Sequence, residues 1–121
     1  MEEKFRVIIA GGRDFTDFRK LCKVAMHMLQ HKENIEIVSG TANGADKLGE
    51  QFARFMGYAI KEFPASWDEM INYSDASIIF WDKIDGETKK FIELVEESNL
   101  KNKVYHYNND DKIENKSEWW E

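Results

Sequence analysis

Ile35-Glu36-Ile37-Val38-Ser39-Gly40-Thr41-Ala42-Asn43-Gly44-Ala45-Asp46 is the stretch on which the fold turns. Its first five residues are short, β-branched and followed by glycine, which predicts a buried central strand. Beyond the small residues of the turn, Ala45, Leu48, Gly49, Phe52, Ala53 and Met56 recur at helical spacing, and Gly57 stands where a helix stops. A strand that passes through a small-residue turn into an amphipathic helix is half of a βα unit, the building block of parallel sheets.

The same alternation extends in both directions. Upstream, 5–10 (FRVIIA) reads as a strand stopped by Gly11-Gly12. Phe18, Leu21, Cys22, Ala25, Met28 and Leu29 then predict a helix over 17–32 with Asp17 as its cap. Downstream, 58–63 reads as a third strand ended by Pro64, and 65–73 as a loop or one short helix. A fourth strand is expected at 76–81 (ASIIFW), a helix over 87–99 burying Phe91, Ile92 and Val95, and a fifth strand at 103–107. The expectation is a single Rossmann-like α/β domain over 1–107, with about five mostly parallel strands flanked by helices. An acidic tail follows at 108–121, where five acids face two lysines.

Composition narrows the partners. With 121 residues, 42% hydrophobic and 33% charged, the chain suits one folded core. A net charge of −6 without a basic cluster argues against nucleic acid. The lone Cys22 forms no internal disulfide, and His27, His31 and His106 lack metal-ligand spacing. No metal or resident cofactor is expected. With no leader pattern and no long apolar run, the expected location is the cytoplasm, away from membranes.

Ligands of parallel α/β sheets gather at the carboxyl ends of the strands, so three loops matter. Gly11-Gly12-Arg13-Asp14-Phe15 offers two glycines for backbone approach and a guanidinium that forks onto phosphate or carboxylate; equally, it is a tight turn whose arginine pairs with a surface acid. The stretch from Ser39, Gly40 and Thr41 through Ala42, Asn43, Gly44, Ala45 and Asp46 combines small side chains, two hydroxyls and a helix N-terminus, the composition of an anion cradle. It matches neither the Walker loop nor the dinucleotide glycine pattern. Asp46 reads either as a reciprocal helix cap with Asn43 or as a carboxylate for a ribose hydroxyl or Arg13. Glu50, one turn on, reinforces a polar rim or faces solvent. In the loop after the fourth strand, Gly86 and Thr88 suit phosphate, while Asp82, Asp85 and Glu87 oppose it. Trp81 or Trp67 is available to stack on a base, although a tryptophan beside a sheet is more often core.

These loops, in this order, resemble the SLOG superfamily, which includes the DprA/Smf proteins and the Lonely-guy phosphoribohydrolases, and especially its short YspA-like branch. The resemblance runs over about 5–107 and rests on 7–15, on 39–46 with Gly49 and Ala53, on 64–68, and on 76–82 with Thr88. It implies a pocket for a nucleotide or nucleotide derivative at the carboxyl end of the sheet, and a homodimer. Two departures stand out. The usual insertion carrying an Arg-Asn pair between the Trp-Asp segment and the fourth strand is missing. The hydrolase pattern Gly-Gly-x-Gly-Thr-x-x-Glu is altered too, with Glu87 where a glycine belongs and Phe91 in place of the glutamate.

The expected function is therefore binding of a nucleotide-like phosphate ligand, for sensing or sequestration, through Arg13 and the turn after the second strand, with Thr88 assisting and Trp81 near the base. An alternative is hydrolysis of an N-glycosidic or phosphoribosyl bond, with Asp14, Asp46 or Glu87 as catalytic candidates. A third is a protein-binding adaptor with a vestigial pocket, docking through Trp119 and Trp120.

Overall fold

The computed structural model describes residues 3–64, 66–107 and 113–114. Its elements run in the order β1 (Phe5–Gly11), α1 (Phe18–Leu29), β2 (Ile35–Ser39), α2 (Ala45–Met56), β3 (Ala59–Glu62), α3 (Trp67–Tyr73), β4 (Ala76–Trp81), α4 (Gly86–Glu97), β5 (Lys101–His106) and β6 (Ile113–Glu114). They form one sheet of order β3-β2-β1-β4-β5-β6. The first five strands are parallel, as in the expected Rossmann-like domain, and β6 pairs antiparallel with β5.

The period of two along the strands divides the core into two layers. Val7 and Ile9 of β1, Ile37 of β2, and Ile78 and Phe80 of β4 point to one face, where Leu21, Ala25 and Met28 of α1 and Phe52 and Ala53 of α2 cover them. Ile8 and Ala10, Val38 and Ile79 point to the other, against Met70 and Ile71 of α3 and Phe91, Ile92 and Val95 of α4. β1 is thus buried on both faces, which is why its sequence reads as a continuous apolar run instead of an alternation.

Local chemistry sets the element ends. Asp17 caps α1 by accepting from the Lys20 amide at 3.0 Å, as the sequence suggested. The amide of Gly57 closes α2 by donating to the carbonyls of Ala53 and Arg54. β5 begins two residues earlier than its apolar pattern because Asn102, polar yet buried, takes a hydrogen bond of 2.8 Å from the Ser77 hydroxyl on β4. β6 falls inside the stretch expected to be an acidic tail, and two residues are too few to show a period. Among the described residues no helix is long and apolar enough to cross a membrane.

Candidate functional site

The strand order reverses between β1 and β4. Where two neighbouring parallel strands send their connections to opposite faces of the sheet, a crevice opens above their carboxyl ends. A half-open cavity of about 60 Å³ lies there, bordered by the loops after β1, β2 and β4 and by helix α3.

The loop after β1 is stitched to its neighbours through backbone. The Gly12 amide donates to the Phe80 carbonyl at 3.0 Å, and the Gly12 carbonyl accepts from the amides of Ala45 (3.1 Å) and Phe15 (3.3 Å). A Cβ on Gly12 would lie 1.9 Å from the Tyr107 hydroxyl oxygen, and one on Gly44, whose φ is +81°, would lie 2.2 Å from the Gly12 carbonyl oxygen. Glycine at these two positions lets chain approach chain, which for Gly12 is the tight turn that the sequence leaves open beside the approach of a ligand. Tyr107 donates to the Asp14 carboxylate at 2.6 Å and its ring packs on Phe15, with centroids 4.7 Å apart. Burial and the adjacent carboxylate raise the Tyr107 phenol well above the usual range. Asp14 therefore faces a separate groove, shared with Thr16, Asp17 and Lys20, while Arg13 turns to the cleft.

The turn after β2 satisfies much of its own polarity. Ser39 is fully buried; its hydroxyl donates to Glu50 at 2.6 Å and accepts from the Thr41 amide at 3.0 Å. Thr41 adopts φ +68°, an uncommon conformation for a β-branched residue. The Ala42 amide donates to the Asp46 carboxylate at 3.3 Å, and the Ala45 amide is taken by Gly12. Three amides expected to point outward are thus used within the protein. The reciprocal cap with Asn43 does not form either: Gly44 is the N-cap of α2, with no side-chain capping bond. Asp46 is instead drawn inward to the cleft wall, where burial, aided by the charge of Glu50, pushes its carboxyl up to about 6 against the opposing pull of the Ala42 and Gly11 amides and Arg13. Glu50 does not face solvent as one reading of it held. It is 1% exposed and held by Ser39, Arg54 (3.5 Å) and Lys47 (3.8 Å).

The loop after β4 is folded on its own acids. Asp82 accepts from the amides of Ile84 and Asp85, both at 2.8 Å. Asp85 caps α4, accepting from the Glu87 amide at 3.0 Å and the Thr88 hydroxyl at 2.7 Å. A carboxylate of the chain thus stands at the positive end of α4. Glu87 crosses the mouth of the cleft to pair with Arg13 at 3.4 Å. Gly86 has open space on its Cβ side.

Trp81 is not at the cleft wall. Its indole N–H donates to the Asp85 carbonyl at 2.9 Å, and its ring packs edge-on to His106. The apolar wall is built by Trp67, Met70 and Phe91, with Trp67 and Phe91 meeting edge to face at 5.2 Å. The sequence offered Trp67 as the other candidate and Phe91 as a buried helix residue standing in the place of the hydrolase glutamate; it singled out nothing at Met70. Of the residues proposed from sequence, Gly11, Arg13, Ala42, Asp46, Glu87 and Thr88 come together here, joined by Asp85. Trp119 and Trp120 lie outside the described residues. Among the described residues no group of three His, Cys, Asp or Glu side chains is placed to hold a metal ion.

A model of the YspA, cpYpsA-related SLOG family matches residues 5–70, more than half of the chain. The protein belongs to this SLOG family. The match takes in both SLOG loops, at 11–15 and 39–46, and reaches Met70 of the apolar wall; the loop after β4, with Asp85, Glu87 and Thr88, lies beyond it. No curated protein and no solved structure matches the chain. Membership of the SLOG family is consistent with a nucleotide-related ligand.

Proposed function

We propose that this chain binds a nucleotide-derived molecule in the cleft between the ends of β1 and β4 and acts by sensing or sequestering it. What supports the reading is one juxtaposition: at the point of strand-order reversal, an arginine, a buried carboxylate and a tryptophan border the same cavity. Arg13 suits a phosphate, Asp46 suits ribose hydroxyl donors, and Trp67 with Phe91 suits a flat ring. About 60 Å³ is well below the roughly 300 Å³ of a pocket that encloses a drug-sized ligand. The cleft therefore grips one moiety and leaves the rest of the ligand at the open mouth.

Calorimetry with nucleoside monophosphates, cyclic nucleotides and ADP-ribose tests this. At least one should bind, and Arg13→Ala should weaken it by about tenfold or more, the scale of a charge-assisted hydrogen bond. Absence of binding across the panel overturns the reading.

The position of Asp46 favours a second reading. A carboxyl held up to about 6 in a partly enclosed cleft is suited to donating or accepting a proton near neutral pH, as cleavage of an N-glycosidic bond requires. Incubating the same panel and separating free base by chromatography tests it. Release of base that Asp46→Asn abolishes supports an enzyme, and intact ligands throughout support a binder.

A further inference from the structure

We propose that Glu87 sets the charge of ligand that the cleft accepts, by competing with the ligand's phosphate for Arg13; this rests on the nucleotide-binding reading above. Arg13 is the cation among the side chains bordering the cavity, where Asp46, Asp85 and Glu87 supply three carboxylates. Two of these are tied down. Asp85 is held by the Glu87 amide and the Thr88 hydroxyl, and Asp46 by the Ala42 amide. Glu87 differs, because its carboxylate spans the mouth to Arg13 at 3.4 Å with the two side chains 56% and 67% exposed. An ion pair that exposed is weak and exchanges readily.

An incoming phosphate has to displace that carboxylate. Glu87 sits in the first turn of α4, so the displaced group stays at the rim as a like charge facing the ligand. The penalty then grows with ligand charge: none for a nucleoside, moderate for a monophosphate, larger for a diphosphate. Each pair of unit charges about 6 Å apart in water changes an equilibrium by about threefold. The Asp85 carboxylate, which takes the Glu87 amide at the start of α4, adds a further like charge there and opposes the pull of that helix end on a phosphate. The cleft is thereby biased toward ligands carrying at most one phosphate.

The experiment titrates the full chain and its Glu87→Gln, Glu87→Asp and Arg13→Ala/Glu87→Gln variants with adenosine, AMP and ADP at low ionic strength, where surface charges are least screened. Glu87→Gln should tighten AMP by about threefold or more and ADP by a larger factor, with adenosine unchanged. Glu87→Asp keeps the charge and should keep the wild-type order, and without Arg13 the gain from Glu87→Gln should shrink. Unfolding temperatures should match the wild type, which separates selectivity from folding. Binding by wild type and Glu87→Gln with the same AMP-to-ADP ratio overturns the role of Glu87 and leaves the cleft reading standing. Failure of all three ligands to bind either protein overturns Glu87's role, and the cleft reading falls with it when the wider panel of nucleoside monophosphates, cyclic nucleotides and ADP-ribose fails as well.

Discussion

Replacing Asp46 with asparagine should make the protein more stable above neutrality and leave it unchanged in acid. Asp46 is 6% exposed, and burial raises its carboxyl from 3.8 to about 6. In the unfolded chain the same group titrates near about 3.9. Between those values the native state holds a proton that the unfolded state has lost. The linkage then has a definite sign: stability falls as pH rises through that window, and above it the buried carboxylate is a constant penalty. At about 1.4 kcal/mol per pH unit, a rise from 3.8 to about 6 corresponds to about 3 kcal/mol. Asparagine keeps the shape and an oxygen for the Ala42 amide, and removes the charge. Urea unfolding at a series of pH values measures the difference between variant and wild type, in which the carboxyls distant from Asp46 cancel and only its neighbour Glu50 remains coupled to it. The two should coincide near pH 4 and separate by pH 8, with the variant's midpoint about 1–2 M higher for a slope of about 2 kcal/mol per M. A difference that stays flat from pH 4 to 8, or a variant less stable at pH 8, refutes the assignment of a destabilising charge to this site.

Other perturbations probe the scaffold around the cleft. Gly44→Ala forces a Cβ to within 2.2 Å of the Gly12 carbonyl at a left-handed φ, and should lower stability by about 2–4 kcal/mol in denaturant titration. Ser39→Ala removes the donor to Glu50 and the acceptor for the Thr41 amide; the buried carboxylate left short of a partner should make the loss about 1–3 kcal/mol. Tyr107→Phe deletes the bond to Asp14 and should cost about 1 kcal/mol, with weaker nucleotide binding by calorimetry because the loop bearing Arg13 loses its brace.

The architecture was readable because periodicity reports burial directly. β2 and β4 were bounded to the residue, because Gly40 stops the first and Asp75 and Asp82 enclose the second, whereas the less apolar β3 is one residue shorter at each end than 58–63. The site was readable in its parts more than in its wiring. Small residues at 11–12 and 40–45 announce a close approach, but whether of ligand or of backbone depends on contacts between loops distant in sequence, which no local pattern records. Asp46 shows the same limit. Asn43 three residues earlier suggested a cap, yet the start of α2 is crowded by the Gly12 carbonyl, and the carboxylate reaches back to Ala42 instead. Trp81 and Trp67 were indistinguishable by composition; both pack on the same face of the sheet, but Trp67 reaches the cavity while Trp81 is turned to Asp85 and His106.

Gly12 links the two sides of the cleft through both of the peptide units that flank its Cα. Its amide is tied to the end of β4 and its carbonyl to the start of α2, so one glycine fastens the two halves of the sheet together above the cleft. The two bonds lie in consecutive peptide planes, the amide in the Gly11–Gly12 unit and the carbonyl in the Gly12–Arg13 unit, so each side can loosen by itself. The amides of Gly12 and Ala45 should accordingly exchange with deuterium at separate opening free energies, one reporting the β4 side of the cleft and the other the α2 side. Assembly of the cleft waits for the pairing of β1 with β4, the longest-range contact in the sheet core.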